Sequence, residues 1–172
     1  MRHVAILILA CASLVSCSSS SDEPAPKPAE KKQPEAPPAL QITDWFNAQP
    51  MTLEGLKGKV VVLDFWNIYC GPCRKLMPHL GTLYTQHKAE GLVVIGITDD
   101  VKKELEAFLA KNPASYPIAI DKVVDGEGQT GKAYGIVAIP TIWLIGRDGN
   151  VVWKGPGGKL TDAMVLAELA RK

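Results

Sequence analysis

Two of the four cysteines are spaced for chemistry: Cys70 and Cys73, in Cys70-Gly71-Pro72-Cys73. If Cys70 sits just outside the first turn of a helix and Cys73 within it, a separation of three brings both sulfurs to the same side. Pro72 suits that turn, where its missing amide has no helical acceptor in any case. Cys70 then faces unpaired backbone amides and the positive end of the helix dipole, which favour thiolate over thiol. The chemistry this supports is exchange. Cys70 attacks a disulfide, and Cys73, protonated until then, displaces the substrate from the mixed disulfide. Asp64, six residues before Cys70 in an otherwise apolar run, is the candidate base. Desolvation raises a buried carboxyl toward the range in which it trades a proton with a thiol. An acid in such a run is otherwise hydrogen-bonded for structure or exposed at an edge; beside a dithiol the working role is favoured.

The other two cysteines lie near the start. Met1, Arg2 and His3 open the chain, residues 4–15 are an apolar run of 12, and Leu14-Val15-Ser16-Cys17 follows. The run is well short of the roughly 20 residues of a membrane-spanning helix, and the whole reads as a secretory signal over residues 1–16. The quartet resembles a lipobox. That resemblance implies cleavage before Cys17, whose sulfur would carry a diacylglyceryl group and whose new amino terminus would carry a third acyl chain. Several chains anchor durably where one does not. Cys11 would leave with the signal. Residues 18–39 hold six prolines, mixed charges and no aromatic or β-branched residue, so they build no core and serve as an extended tether after the lipidated Cys17.

Residues 40–172 have the length of one domain. The chain carries 19 basic and 18 acidic residues, and this near-neutral balance gives no field able to hold a nucleic-acid backbone. Residues 60–66 and 92–97 are short apolar runs of the kind buried on both faces of a parallel sheet. Residues 73–90 between them are long enough for a helix, with Pro78 inside and Gly91 as its stop. A second helix is predicted over residues 101–111, capped by Asp99 or Asp100 and turning Leu105, Phe108 and Leu109 inward. A strand follows at 116–121. Residues 141–145 and 151–154 flank Asp148-Gly149, a hairpin signal that makes them antiparallel. Residues 160–171 close the chain as an amphipathic helix with Ala163, Leu166, Ala167 and Ala170 inward. The sum is α/β: a mixed central sheet with helices on both faces.

The segment from Val62-Leu63-Asp64-Phe65-Trp66 through Asn67-Ile68-Tyr69-Cys70-Gly71-Pro72-Cys73-Arg74-Lys75 resembles the active-site strand and helix of the thioredoxin superfamily. Ala138-Ile139-Pro140-Thr141 also matches, 67 residues after Cys73. Together with the extra strand and helix ahead of Pro140, these point to the TlpA/ResA-like membrane-anchored thiol-disulfide oxidoreductases. The resemblance implies a thioredoxin-like fold, a cis peptide at Pro140, and a substrate groove in which Ile139 offers its backbone to an extended chain. Trp66, Tyr69, Gly71 and Pro72 would border that groove, although plain core packing explains Trp66 equally well. There are departures: Tyr69 replaces the usual Trp, Asn67 the common Ala, and Leu76 the glutamate that many cytochrome c-directed members carry. The acid stands instead at Asp64, matching the buried aspartate of thioredoxins proper, which favours a general protein-disulfide reductase.

The Gly71-Pro72 dipeptide is that of thioredoxins, whose potential is about −270 mV against about −120 mV for the oxidant DsbA, so by analogy the expected direction is reduction. The partners implied are disulfide-containing envelope proteins and a transmembrane electron donor of the DsbD/CcdA type. The implied setting is the cell envelope, lipid-anchored and facing outward, as a monomer without a cofactor. Three other readings compete. A zinc or copper site lacks ligands, since His79 and His87 are eight apart and no second Cys pair exists. A peroxiredoxin-like peroxidase shares the fold, but its reactive cysteine lacks a partner three residues on. A pure binding lipoprotein would leave the dithiol idle.

Overall fold

The computed structural model describes residues 35–171. The signal, Cys17 and the tether through residue 34 lie outside the described residues. The elements run β1 (Ile42–Phe46), β2 (Val60–Phe65), α1 (Gly71–His87), β3 (Leu92–Thr98), α2 (Lys102–Leu109), β4 (Ile118–Asp121), β5 (Val123–Val124), β6 (Glu127–Gly128), α3 (Gln129–Ala133), β7 (Thr141–Ile145), β8 (Val151–Pro156) and α4 (Asp162–Ala170).

Six strands form one sheet in the order β1-β4-β3-β2-β7-β8. β2, β3 and β4 are parallel, while β1, β7 and β8 join antiparallel. Every residue of β2 is buried, which explains its nearly unbroken apolar composition: it lies at the centre with a layer on each face. Val60, Val62 and Trp66 face α1, α2 and α4, where Leu80, Leu83, Leu105, Val165 and Leu169 close the larger core. Val61, Leu63 and Phe65 face the other way, onto Tyr134, Trp143, Ile145 and the residues leading into β1. The two faces are thus covered unequally. Three helices share one, and short α3 with the N-terminal segment covers the other.

Four sequence expectations change. β1 was not anticipated; only its pairing with β4, through a register shift between Ile42 and Asp44, makes this half-buried segment a strand. The β5–β6 hairpin was also unforeseen, although Asp125 (φ 51°) and Gly126 (φ 79°) at its tip are an Asp-Gly turn like the one read at residues 148–149. α4 presents a different face. Ala163, Leu166, Ala167 and Ala170 are exposed, and Val165, Glu168 and Leu169 are buried. The larger side chains on the neighbouring stripe win the core, and Glu168 is tolerated there through its ion pair with Arg171. Finally, residues 35–39 already belong to the folded body. The Val151 amide donates to the Glu35 carbonyl at 2.8 Å, and the Tyr134 hydroxyl to that of Pro38 at 2.6 Å.

Candidate functional site

α1 begins where β2 ends, after the turn of residues 66–70. Cys70 is its N-cap, in extended conformation (φ −79°, ψ 102°), and its sulfur accepts the Cys73 amide at 3.2 Å. Gly71 and Pro72 form the first two helical positions, and the proline lacks an amide where no helical acceptor exists. The sulfurs of Cys70 and Cys73 are joined in a disulfide with Cα atoms 5.3 Å apart. The two differ in access: Cys70 is half-buried, and Cys73 is wholly buried in the larger core. Only the first can meet a bulky partner.

The Ile139–Pro140 peptide bond is cis. Both residues are half-buried, and the Pro140 carbonyl accepts the Gly157 amide at 2.8 Å, tying the turn before β7 to the end of β8. A Cβ on Gly157 would lie 2.7 Å from Leu76 Cδ2 and 3.0 Å from Pro140 Cβ. Absence of a side chain there therefore lets the proline ring and the second turn of α1 pack closely. A cleft of ≈ 300 Å³ opens beside this turn between the ends of β2 and β3 and the β5–β6 hairpin, with Asn67, Ile97, Val137 and Ile139 among its walls. Tyr69 is 75% exposed, and its hydroxyl donates to Glu104 at 2.7 Å. That carboxylate holds the phenol protonated, raising its pKa. Trp66, by contrast, is 2% exposed and packs against Phe108 in a tilted arrangement with ring centroids 5.8 Å apart, so it belongs to the core.

Asp64 lies on the α1 side of β2, opposite Gly96 of β3 and Ile142 of β7. It is completely buried, and neither carboxyl oxygen has a hydrogen-bond partner among the described residues. Burial alone pushes it up to about 7, the range in which a carboxyl exchanges a proton with a thiol near neutral pH. Among the described residues no cluster of three or more His, Cys, Asp and Glu side chains is arranged to hold a metal.

Sequence reasoning missed Asp100. The sequence offers Asp99 or Asp100 as the cap of α2, but its N-cap is Val101 and makes no side-chain cap bond. Asp100 turns inward instead: Oδ2 accepts the Ile68 amide at 2.9 Å and the Thr98 hydroxyl. Burial raises its pKa. The loop that delivers Cys70 is therefore held from the end of β3, a contact 32 residues apart in sequence that no local pattern announces.

A mixed sheet, a dithiol at a helix N-terminus and a proline turn packed at Gly157 against that same helix define a thioredoxin-like protein. The chain belongs to the AhpC/TSA family, whose profile it matches over residues 35–154. It is 34% identical over 116 residues to the thiol-disulfide oxidoreductase ResA of Bacillus thuringiensis, covering 67% of this chain and 64% of that one. The ResA of Halalkalibacterium halodurans is 36% identical over 128 residues, 72% of this chain and 68% of its own. The chain thus spans just under two thirds of the first relative's length. Among solved structures, a putative thiol:disulfide interchange protein DsbE from Chlorobium tepidum superposes with a TM-score of 0.68 at 30% identity, over 80% of this chain and 97% of that one.

Proposed function

We propose that the protein is an extracytoplasmic thiol-disulfide oxidoreductase that reduces disulfides in envelope proteins. The observation that carries this is the unequal access of the two joined sulfurs: Cys70 half-buried at the helix N-cap, Cys73 buried three residues on. In the reduced protein the Cys70 thiolate attacks one sulfur of a substrate disulfide, the other sulfur leaves as a thiolate, and a mixed disulfide between Cys70 and the substrate forms. Cys73 gives its proton to Asp64, attacks the Cys70 sulfur and expels the second substrate thiolate. Two electrons pass to the substrate, and the protein is left with the Cys70–Cys73 disulfide seen here. Ile139 offers its backbone to the extended substrate, Tyr69, Gly71, Pro72 and Pro140 form the rim, and Trp66 supports it from beneath.

The relatives' names, two ResA oxidoreductases and an interchange protein, support the same reading. Cleavage after residue 16, lipid attachment at Cys17 and a tether leading to a folded body that begins by residue 35 would hold the domain at the outer face of a membrane. Recharging by a transmembrane donor of the DsbD/CcdA type follows from the same reading, since an oxidising compartment offers no soluble reductant pool. No helix among the described residues is long and apolar enough to cross a membrane. The test is a Cys73→Ala trap expressed in the native envelope. Cysteine-containing envelope proteins should be recovered linked to Cys70 and released by reductant, and recovery of cysteine-free proteins alone would sink the proposal. Rapid peroxide consumption without a disulfide substrate would favour a peroxidase.

A further inference from the structure

Among the described residues, four buried side-chain polar atoms lack a hydrogen-bond partner: both carboxyl oxygens of Asp64, the indole Nε1 of Trp66 and the hydroxyl of Tyr116. Orphans of this kind are few in folded proteins, and these come from three residues that meet around one glycine. Gly96 lies opposite Asp64 in the β2–β3 register and opposite Ile118, two residues after Tyr116, in the β3–β4 register. A Cβ on Gly96 would come within 2.9 Å of Trp66 Nε1 and 3.2 Å of Tyr116 Cε2. The two aromatic edges therefore overlie the glycine that neighbours Asp64. Their chemistry is complementary, because an indole N–H only donates, a phenol donates or accepts, and a carboxylate only accepts.

We propose that Tyr116 is a positioning residue for the exchange reaction: its hydroxyl, seconded by the Trp66 indole, supplies the hydrogen bonds the Asp64 carboxylate needs when it is ionised and ready to take the Cys73 proton. The bond runs directly or through one water. This rests on the reading of Asp64 as the base. The balanced step is Asp64 carboxylate plus Cys73 thiol giving Asp64 carboxylic acid plus Cys73 thiolate. The thiolate then attacks the Cys70 sulfur, the bond from Cys70 to the substrate breaks, and the proton on Asp64 returns to the departing thiolate or to solvent.

The alternatives around Asp64 are few. α1 turns Cys73 inward and leaves Arg74, Lys75 and His79 exposed, and α2 turns in Leu105 while Lys102, Lys103, Glu104 and Glu106 are exposed. β7 contributes the apolar Ile142 and Leu144. Of the remaining buried acids, Glu168 of α4 pairs with Arg171, Asp100 holds Ile68, and Asp121 accepts the Thr130 and Gly131 amides. No charge from any of them contributes to the raised pKa of Asp64, which burial alone explains. Tyr116 is coupled to it: the phenol is raised by burial first and then by the charge of Asp64, so it stays a protonated donor.

The experiment compares the full chain with Tyr116→Phe, titrating the Asp64 carboxyl by carbon-13 NMR in the reduced state and following the pH dependence of release of a peptide disulfide by stopped flow. Losing one hydrogen bond to a charged acceptor should move both midpoints up by about one to two pH units, while the pH dependence of Cys70 alkylation stays in place. An Asp64 titration unchanged in Tyr116→Phe overturns the proposal. Asp64→Asn separates the two readings. If that variant leaves the pH profile of release unaltered, Asp64 is not the base, whereas the NMR titration still reports whether Tyr116 touches it. Because Tyr116→Phe removes only a hydroxyl that has no hydrogen-bond partner among the described residues of the oxidised protein, the variant should fold, and its unfolding midpoint checks that it does.

Discussion

The Ile68 amide donates to Asp100 Oδ2 at 2.9 Å, fixing the chain two residues before Cys70 from a side chain that follows β3. Thr98 completes the arrangement by donating its hydroxyl to the same oxygen, and its own oxygen accepts the Asp100 amide at 3.2 Å. Reactivity at Cys70 depends on its sulfur lying at the N-terminus of α1, so whatever holds the preceding loop helps set the geometry of attack.

Replacing Asp100 by Ala strands the Ile68 amide in a buried place. The expected loss of stability is about 1–3 kcal/mol, read from urea unfolding of the oxidised protein. A second effect separates loop positioning from bulk stability: at a temperature where both proteins are fully folded, Cys70 of the reduced variant should alkylate with a higher pH midpoint than wild type, because the sulfur is less firmly held against the helix amides. An unchanged midpoint would show that α1 alone positions it.

Gly157 carries a different constraint. Leu76 Cδ2 is the movable end of a side chain, but the Pro140 ring, 3.0 Å from where a Cβ would sit, is rigid. Gly157→Ala should therefore displace the turn at residues 138–140 even when Leu76 gives way. Overpacking of this kind costs about 1–3 kcal/mol. Turnover with a protein disulfide should fall more than turnover with a small disulfide, since on the proposed reading only the former uses the backbone of Ile139. Equal losses on both substrates would count against a groove along that turn.

The β2–α1 unit was legible because each level agreed: an apolar run, a proline suited to the first turn, and two cysteines at a spacing that a helix start brings together. The β7–β8 hairpin was legible through Asp148-Gly149. What escaped depended on remote partners. β1 is a strand because β4 is there to pair with it, and Asp100 turns inward because the Ile68 amide awaits it 32 residues away. On α4 the small residues formed a regular stripe, and the deciding weight lay with Val165 and Leu169 on the adjacent one. In sequence Tyr116 is simply the start of an apolar run, and in the structure it precedes β4. Nothing local marks its hydroxyl as one of the unpaired polar groups near Asp64, because that depends on Gly96 lying across the sheet.

The start of the folded body is testable by truncation. A chain beginning at residue 40 loses the hydrogen bonds from Val151 to Glu35 and from Tyr134 to Pro38 that a chain beginning at residue 35 retains. The shorter form should be less stable by about 1–2 kcal/mol, measured by urea unfolding of the two. The ion pair of Glu35 with Lys154 is nearly half exposed on both sides and adds little. Equal stabilities would mean that water replaces both bonds without loss.

The last prediction concerns Asp64 and pH. Its carboxyl rises from an ordinary value near 4 to about 7 through burial. Between those values the folded protein binds more protons than the unfolded chain, so stability falls as pH rises from about 4 to about 7 and then levels off. Three pH units correspond to about 4 kcal/mol. In the oxidised protein Cys73 is tied in the disulfide and does not titrate, which isolates the effect. Asp64→Asn removes it. The buried amide brings an offset of its own, but that offset is independent of pH, and the contribution of Asp100 is common to both proteins and cancels. The stability of Asp64→Asn relative to wild type should therefore grow between pH 4 and pH 8 by up to about 4 kcal/mol, less whatever the proposed Tyr116 bond to the carboxylate contributes, read from urea unfolding at each pH. A difference that stays flat across that interval would mean that Asp64 ionises in the folded state as an ordinary carboxyl, and would remove the physical basis for its role as the base.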